Sequence, residues 1–135
     1  MLRCLIIDDS PYFLSAARCL LEHQGVAVVG VASDCAQALR LAEQLSPEVA
    51  LVDIDLGGEC GLELAGRLHR QSGAAHLPVI LISSHAEEDY ADLIAASPAV
   101  GYLCKTALSG DAIRALLAGT DDRHPDDRVN GPPGR

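Results

Sequence analysis

The chain has 135 residues, 49% of them hydrophobic, with a formal net charge of −9 and a pI near 4.8. That length fits one domain able to bury its own core without disulfide or metal staples, and the acidic balance argues against direct nucleic-acid binding, which needs clustered Lys and Arg. No amino-terminal signal pattern is present and no apolar run approaches the ~18 residues of a membrane span, so a cytoplasmic protein without membrane contact is expected. The five cysteines, Cys4, Cys19, Cys35, Cys60 and Cys104, show no CxxC or Cys/His ligand spacing and fall mostly in apolar segments. They read as reduced thiols of the core.

Arg3 to Ile7 is a short apolar run, after which Ser10 and Pro11 supply an N-cap and a first-turn proline. The helix they open has Leu14, Ala17 and Leu21 on one face, and Gly25 stops it. Val26 to Ala32 is β-branched and nearly all apolar, like a strand buried on both faces. Asp34 then caps a helix with Ala38, Leu41, Ala42 and Leu45 on its stripe, which Ser46 and Pro47 end. Val49 to Val52 predicts a third strand, followed by a loop containing Gly57 and Gly58 and a helix from Gly61 to about Gln71 with Leu64, Ala65 and Leu68 inward. Pro78 opens a fourth strand, Val79 to Ile82. Past Ser84, the acids Glu87, Glu88 and Asp89 suit a helix N-terminus, with Tyr90, Leu93 and Ile94 facing inward. Ser97 and Pro98 end that helix, Val100 to Cys104 is the fifth strand, and Ser109 caps a last helix with Ile113, Leu116 and Leu117 inside. Apolar content collapses after Gly119.

Strands alternating with helices in this way predict right-handed crossovers and a doubly wound α/β fold with a five-stranded parallel sheet and five helices. A TIM barrel, at about 250 residues, is excluded by length. Residues 1–118 form the expected folded domain, and 119–135 a polar tail rich in Pro and Gly that reads as disordered or linker-like. The tail is expected to be the natural end of a stand-alone module, the alternative being a truncated linker.

Four of the strand-like runs end in polar residues of different kinds: Asp8 and Asp9, Asp53, Ser83, and Lys105. In a parallel sheet these ends converge on one edge, where ligands bind. Taken singly, an Asp pair after a strand is more often a turn or cap, and a lone Ser or Lys says little; their joint placement carries the weight. Three carboxylates there repel, each close pair costing about 4 kcal/mol at ~4 Å and an effective dielectric near 20. Either a carboxyl stays protonated or a divalent cation binds, and hard oxygen ligands favour Mg²⁺ over zinc. With the metal in place Asp53 can act as a nucleophile toward a phosphoryl group, Lys105 can neutralise its oxygens, and Ser83 can donate a hydrogen bond to it, drawing its loop inward.

Together these residues resemble the receiver domain of bacterial two-component response regulators, from about Leu2 to Leu117. The acidic pair is similar to Asp8 and Asp9 in CLIIDDSP, the phosphoacceptor to Asp53 in VALVDIDLGGECG, the hydroxyl switch to Ser83 in PVILISSH, and the lysine to Lys105 in GYLCK. The resemblance implies a flavodoxin-like fold with strand order 2-1-3-4-5, and Mg²⁺ held by the side chains of Asp9 and Asp53 and the backbone carbonyl of Asp55, with Asp8 acting through water. It further implies that Tyr102 changes rotamer on activation, although on its own an aromatic on an apolar strand is simply core. Asp55 and His85 occupy positions that tune how fast the phosphate is lost. The implied partners are a histidine kinase or histidine phosphotransfer protein, a downstream protein effector, and a second copy in a phosphate-dependent homodimer. The surface of the fourth helix, fifth strand and fifth helix is where the two states would differ. Two departures from the family pattern are Thr106 after the lysine and Gly57 in the loop after the acceptor, where proline is common. The former is seen in the branch that carries a helix-turn-helix output domain.

The chain is therefore expected to be a switch and not an enzyme, catalysing only its own phosphoryl transfer and loss. Two rival readings remain. Asp53-Ile54-Asp55 is also similar to the nucleophile and general acid of haloacid-dehalogenase-type phosphatases, but that family carries its Asp-x-Asp on the first strand. A receiver-fold binding module working without phosphate is the other. A dinucleotide site is weaker, because no GxGxxG follows the first strand.

Overall fold

Five parallel strands, β1 (Leu2–Ile7), β2 (Val26–Ala32), β3 (Val49–Asp53), β4 (Val79–Ser83) and β5 (Gly101–Cys104), form one sheet in the order β2-β1-β3-β4-β5. They belong to a computed structural model that describes residues 1–71 and 77–122, the last three as backbone alone. The strands alternate with α1 (Pro11–His23), α2 (Cys35–Leu45), α3 (Gly61–Gln71), α4 (Ala91–Ala96) and α5 (Gly110–Asp122).

Side chains alternate across each strand, so each central strand feeds two cores. Leu5, Ile7, Ala50, Val52, Val79 and Leu81 pack under α2 and α3, against Ala38, Leu64, Ala65 and Leu68. Cys4, Ile6, Val49, Leu51, Ile80 and Ile82 pack on the other face, against Ala17 and Leu21 of α1 and Ile113 of α5. Both faces of β1, β3 and β4 are thus covered, as their uninterrupted apolar runs predict. Each fully buried Leu or Ile there contributes about 1.5 to 3 kcal/mol of apolar burial.

The helix signals act as read. Ser10 Oγ accepts the Phe13 N–H at 3.2 Å, Asp34 Oδ1 accepts the Gln37 N–H at 2.8 Å, and Ser109 Oγ accepts the Ala112 N–H at 3.0 Å. At the far end of α2 the Arg3 guanidinium donates to the carbonyls of Leu45 and Ser46, a cation placed where the helix dipole favours one.

Five expectations are corrected. β2 stands at the edge, as the order 2-1-3-4-5 implies, but it is not buried on both faces: Ala27, Val29, Gly30 and Val31 are only half-buried, because a strand with one neighbour is not fully roofed by helices. The loop after β3 holds a short antiparallel ribbon, Asp55–Leu56 against Glu59–Cys60. The fourth helix begins as a 3₁₀ turn, Glu87–Tyr90, before α4; Ala86 offers no side-chain cap, and Leu93 is 53% exposed instead of facing inward. Of the cysteines only Cys4 is in the core: Cys19 and Cys60 are exposed, Cys35 and Cys104 half-buried, and all are free thiols. Finally, α5 continues past Gly119 to Asp122, while the rest of the polar tail lies outside the described residues. Among the described residues, no helix is long and apolar enough to cross a membrane.

Candidate functional site

Register brings the strand-end residues together. Ile7 stands beside Val52, so Asp8 emerges next to Asp53; Asp53 pairs with Ile82, and Ser83 pairs with Cys104, the residue before Lys105. The chain leaves β1 toward one face of the sheet and β3 toward the other, and the crevice opens between them, at the switch point where such sheets bind ligands.

Asp8 is fully buried, and Asp53 is 5% exposed. Carboxylate oxygens of Asp8, Asp9 and Asp53 lie within 4.8 Å of one another, with Asp9 at the surface. Lys105 Nζ reaches into this group, 2.6 Å from Asp8 Oδ2 and 3.1 Å from Asp53 Oδ2. The other oxygens take backbone donors: Asp8 Oδ1 accepts the Ser10 N–H at 2.8 Å, and Asp53 Oδ1 accepts the Asp55 N–H at 3.1 Å.

These contacts set the charges. Burial raises the Asp53 pKa; the Asp55 N–H opposes it, the Asp8 charge adds to it, Lys105 lowers it, and the result is pushed up to about 6 from 3.8. For Lys105, burial works to lower the pKa, but the pull of Asp8 and Asp53 prevails and the ammonium is held above its ordinary value. Three carboxylates against one ammonium leave a formal charge of −2 when all are ionised, which one divalent cation would cancel.

The geometry fits such an ion. Asp8 Oδ2 is buried, and beyond the Lys105 ammonium at 2.6 Å no donor reaches it among the described residues. Hard oxygen donors suit Mg²⁺ or Ca²⁺ over softer metals. The wall beside Asp9 is Gly57, at φ +59, where a Cβ would lie 2.8 Å from Asp9 Oδ2. Space for a side chain is therefore given up next to the carboxylate.

Ser83, only 2% exposed, sits at the predicted strand end, and its hydroxyl is engaged by His85. It accepts the His85 N–H at 3.1 Å and lies 3.2 Å from His85 Nδ1, which is in turn 3.3 Å from the Tyr90 hydroxyl. Tyr102, 8% exposed, is turned inward and its hydroxyl donates to the His85 carbonyl. Burial pushes the Tyr102 phenol pKa up. The two predicted switch residues thus meet at His85. Asp55 is exposed, and its backbone N–H is committed to Asp53.

Sequence reasoning missed three contributors. Gly61 passes so close to β3 that a Cβ would lie 1.8 Å from the Asp53 carbonyl oxygen, while its N–H donates to the Ile54 carbonyl at 2.8 Å. A glycine opening a helix right after the acidic loop is the signal that could have found it. Glu59 ties the ribbon to the start of α2 by accepting the Cys35 N–H at 2.9 Å, a contact across 24 residues with no local signature. Phe13, from the first turn of α1, presents its ring to Lys105 Nζ at 4.5 Å from the centroid.

Residues 4–118 match the sequence model described as response regulator receiver domain. The chain is 33% identical over 123 residues to the transcriptional regulatory protein LiaR of Bacillus subtilis (strain 168), covering 88% of this chain and 57% of that protein. It is 34% identical over 113 residues to the nitrate/nitrite response regulator protein NarL of Escherichia coli (strain K12), covering 83% and 51%. The chain thus spans about half the length of these curated relatives. Among solved structures, the signal receiver domain of the putative response regulator NarL from Mycobacterium tuberculosis superposes with a TM-score of 0.74 at 31% identity, over 90% of this chain and 98% of that one. A LuxR-family two-component response regulator from Aurantimonas sp. SI85-9A1 gives 0.75 at 27%, over 93% and 91%. The chain belongs to the response regulator receiver domain family.

Proposed function

We propose that Asp53 accepts a phosphoryl group from a histidine kinase or a histidine phosphotransfer protein, in the cytoplasm, and that the modified state is a signal. The observation that carries this reading is the joint placement of the Asp8, Asp9 and Asp53 carboxylates with the Lys105 ammonium at one sheet edge. An Asp53 carboxylate oxygen forms the new P–O bond as the donor's P–N bond breaks, its electron pair returning to the leaving imidazole. Lys105 stays at the mouth of Asp53 and takes up the charge on the phosphoryl oxygens. Asp8, Asp9, Asp53 and the Asp55 carbonyl would hold Mg²⁺, which would supply the positive charge that lets an electron-rich carboxylate meet an electron-rich phosphoryl group. The chain acts on itself and turns over no other substrate.

The output follows from Ser83. To bond the phosphoryl group its hydroxyl must leave His85, whose carbonyl also holds Tyr102. The loop between β4 and α4 then moves, and with it the surface of α4, β5 and α5, where a second copy or a downstream effector would dock. A haloacid-dehalogenase-type phosphatase is disfavoured by the Asp-x-Asp beginning at the end of β3, after the acidic pair that follows β1. Beryllofluoride, a phosphoryl mimic, tests the switch: with Mg²⁺ it should shift the amide resonances of Ser83, His85 and Tyr102 and change the sedimentation of the protein or its capture of a partner. Resonance changes confined to the acidic pocket would contradict it.

A further inference from the structure

We propose that the aromatic face of Phe13 positions the Lys105 ammonium for phosphoryl transfer, holding it through the exchange of one oxygen partner for another; this rests on the reading of Asp53 as the phosphoacceptor. Lys105 carries its charge on a flexible four-carbon stem, and its Nζ lies 2.6 Å from Asp8 Oδ2, 3.1 Å from Asp53 Oδ2 and 4.5 Å from the centroid of the Phe13 ring. Of the two carboxylates only Asp8 keeps its charge throughout the reaction. When Asp53 becomes an acyl phosphate its oxygen no longer offers a full negative charge, and the ammonium must exchange that contact for a phosphoryl oxygen. A ring face attracts a cation through its quadrupole without demanding one direction of approach, so the same contact serves before and after. It also shields one side of Nζ from water, and the Lys105 side chain is only 18% exposed.

Phe13 is half-buried, and its place is set by the turn that carries it. Its N–H is the one that Ser10 Oγ caps at 3.2 Å, Pro11 pre-sets the first turn, and the Ser10 N–H is held by Asp8 Oδ1 at 2.8 Å. The carboxylate that pairs with Lys105 through Oδ2 therefore also orients, through Oδ1, the turn that brings the ring. The Phe13 side chain packs against the core of α1 and α5, so the ring cannot swing away freely. It is the chain's one phenylalanine. An aliphatic residue would fill the space but lose the quadrupole.

The test grades the ring's electronics at nearly constant shape. Phe13 is replaced in the full chain by phenylalanines of increasing fluorination, and the rate of Asp53 phosphorylation by phosphoramidate is measured at saturating Mg²⁺. The rate should fall step by step, by about tenfold for the most fluorinated ring. Phe13→Leu should lose a similar factor and Phe13→Tyr should stay near the parent, with the Mg²⁺ dissociation constant unchanged within about twofold throughout. Without any phosphodonor, the Lys105 ε-methylene protons should show an upfield ring-current shift that Phe13→Leu abolishes. Equal rates across the fluorine series, with the parent phosphorylated normally, overturn the Phe13 role alone, as does the absence of the ring-current shift. A parent protein that takes up no phosphoryl group overturns the phosphoacceptor reading and, with it, the reaction Phe13 is said to serve.

Discussion

Lys105 lies closer to Asp8 than to Asp53, 2.6 Å against 3.1 Å, and Asp8 is the more deeply buried of the two carboxylates. In the absence of metal this ammonium is the charge that makes the burial of Asp8 tolerable. Removing one partner of a buried pair strands the other. Lys105→Met should therefore destabilise the metal-free protein by about 2 to 4 kcal/mol in urea unfolding. Added Mg²⁺ should restore more stability to the variant than it adds to the parent. A loss below about 0.5 kcal/mol would place this pair with ordinary surface ion pairs.

The raised pKa of Asp53 has a definite sign. Burial favours its protonated form, so the native state binds this proton more tightly than the unfolded chain between about 3.8 and about 6. Stability contributed by this group is present below that window and is lost as pH rises through it. Asp53→Asn should accordingly stabilise the metal-free fold at pH 7, by about 2 kcal/mol, and leave it nearly unchanged at pH 4. Equal effects at the two pH values would show that Asp53 titrates like a surface carboxylate.

The two glycines that shape the pocket should fail differently. Gly61→Ala puts a Cβ 1.8 Å from the Asp53 carbonyl oxygen, and backbone cannot yield as a side chain can; a loss of roughly 3 kcal/mol or more is expected in thermal unfolding. At Gly57 the obstacle is the mobile Asp9 carboxylate, 2.8 Å away, together with a φ of +59. Gly57→Ala should cost about 1 kcal/mol in stability and weaken Mg²⁺ binding several-fold, as read by calorimetry. Unchanged Mg²⁺ affinity would remove Asp9 from the metal's ligands.

His85 holds the Ser83 hydroxyl through its ring and its backbone, and only the ring can be deleted. His85→Ala should remove about 1 kcal/mol of off-state bonding and raise beryllofluoride affinity about threefold to fivefold. It should leave the affinity alone if the imidazole contact does not compete with the phosphoryl group. The same variant should also change the rate at which label is lost from Asp53.

The sheet, its five helices and the convergence of Asp8, Asp9, Asp53, Ser83 and Lys105 were legible because each rests on a local signal: an apolar run, a cap, a strand end. The strand order 2-1-3-4-5 comes from the family resemblance and holds, whereas side-chain burial and direction are long-range properties. That β2 is half-buried follows from having one neighbour, which its own residues do not encode. Leu93 matched the helical period of its segment, yet the uncapped start of that helix as a 3₁₀ turn rotates the face and leaves the leucine outside. The Ser83 hydroxyl could be placed at a strand end from sequence, but its choice of His85 over the carboxylates is a rotamer decided by packing. Phe13 read only as one more apolar residue of α1, because its meaning depends on a lysine 92 positions away.

The central claim is tested most directly by the mass of the intact protein after incubation with a small phosphodonor and Mg²⁺. One added phosphoryl group per chain, lost at alkaline pH and absent from Asp53→Asn, is the predicted result. A chain that gains no mass, or gains it equally without the Asp53 carboxylate, would contradict the account.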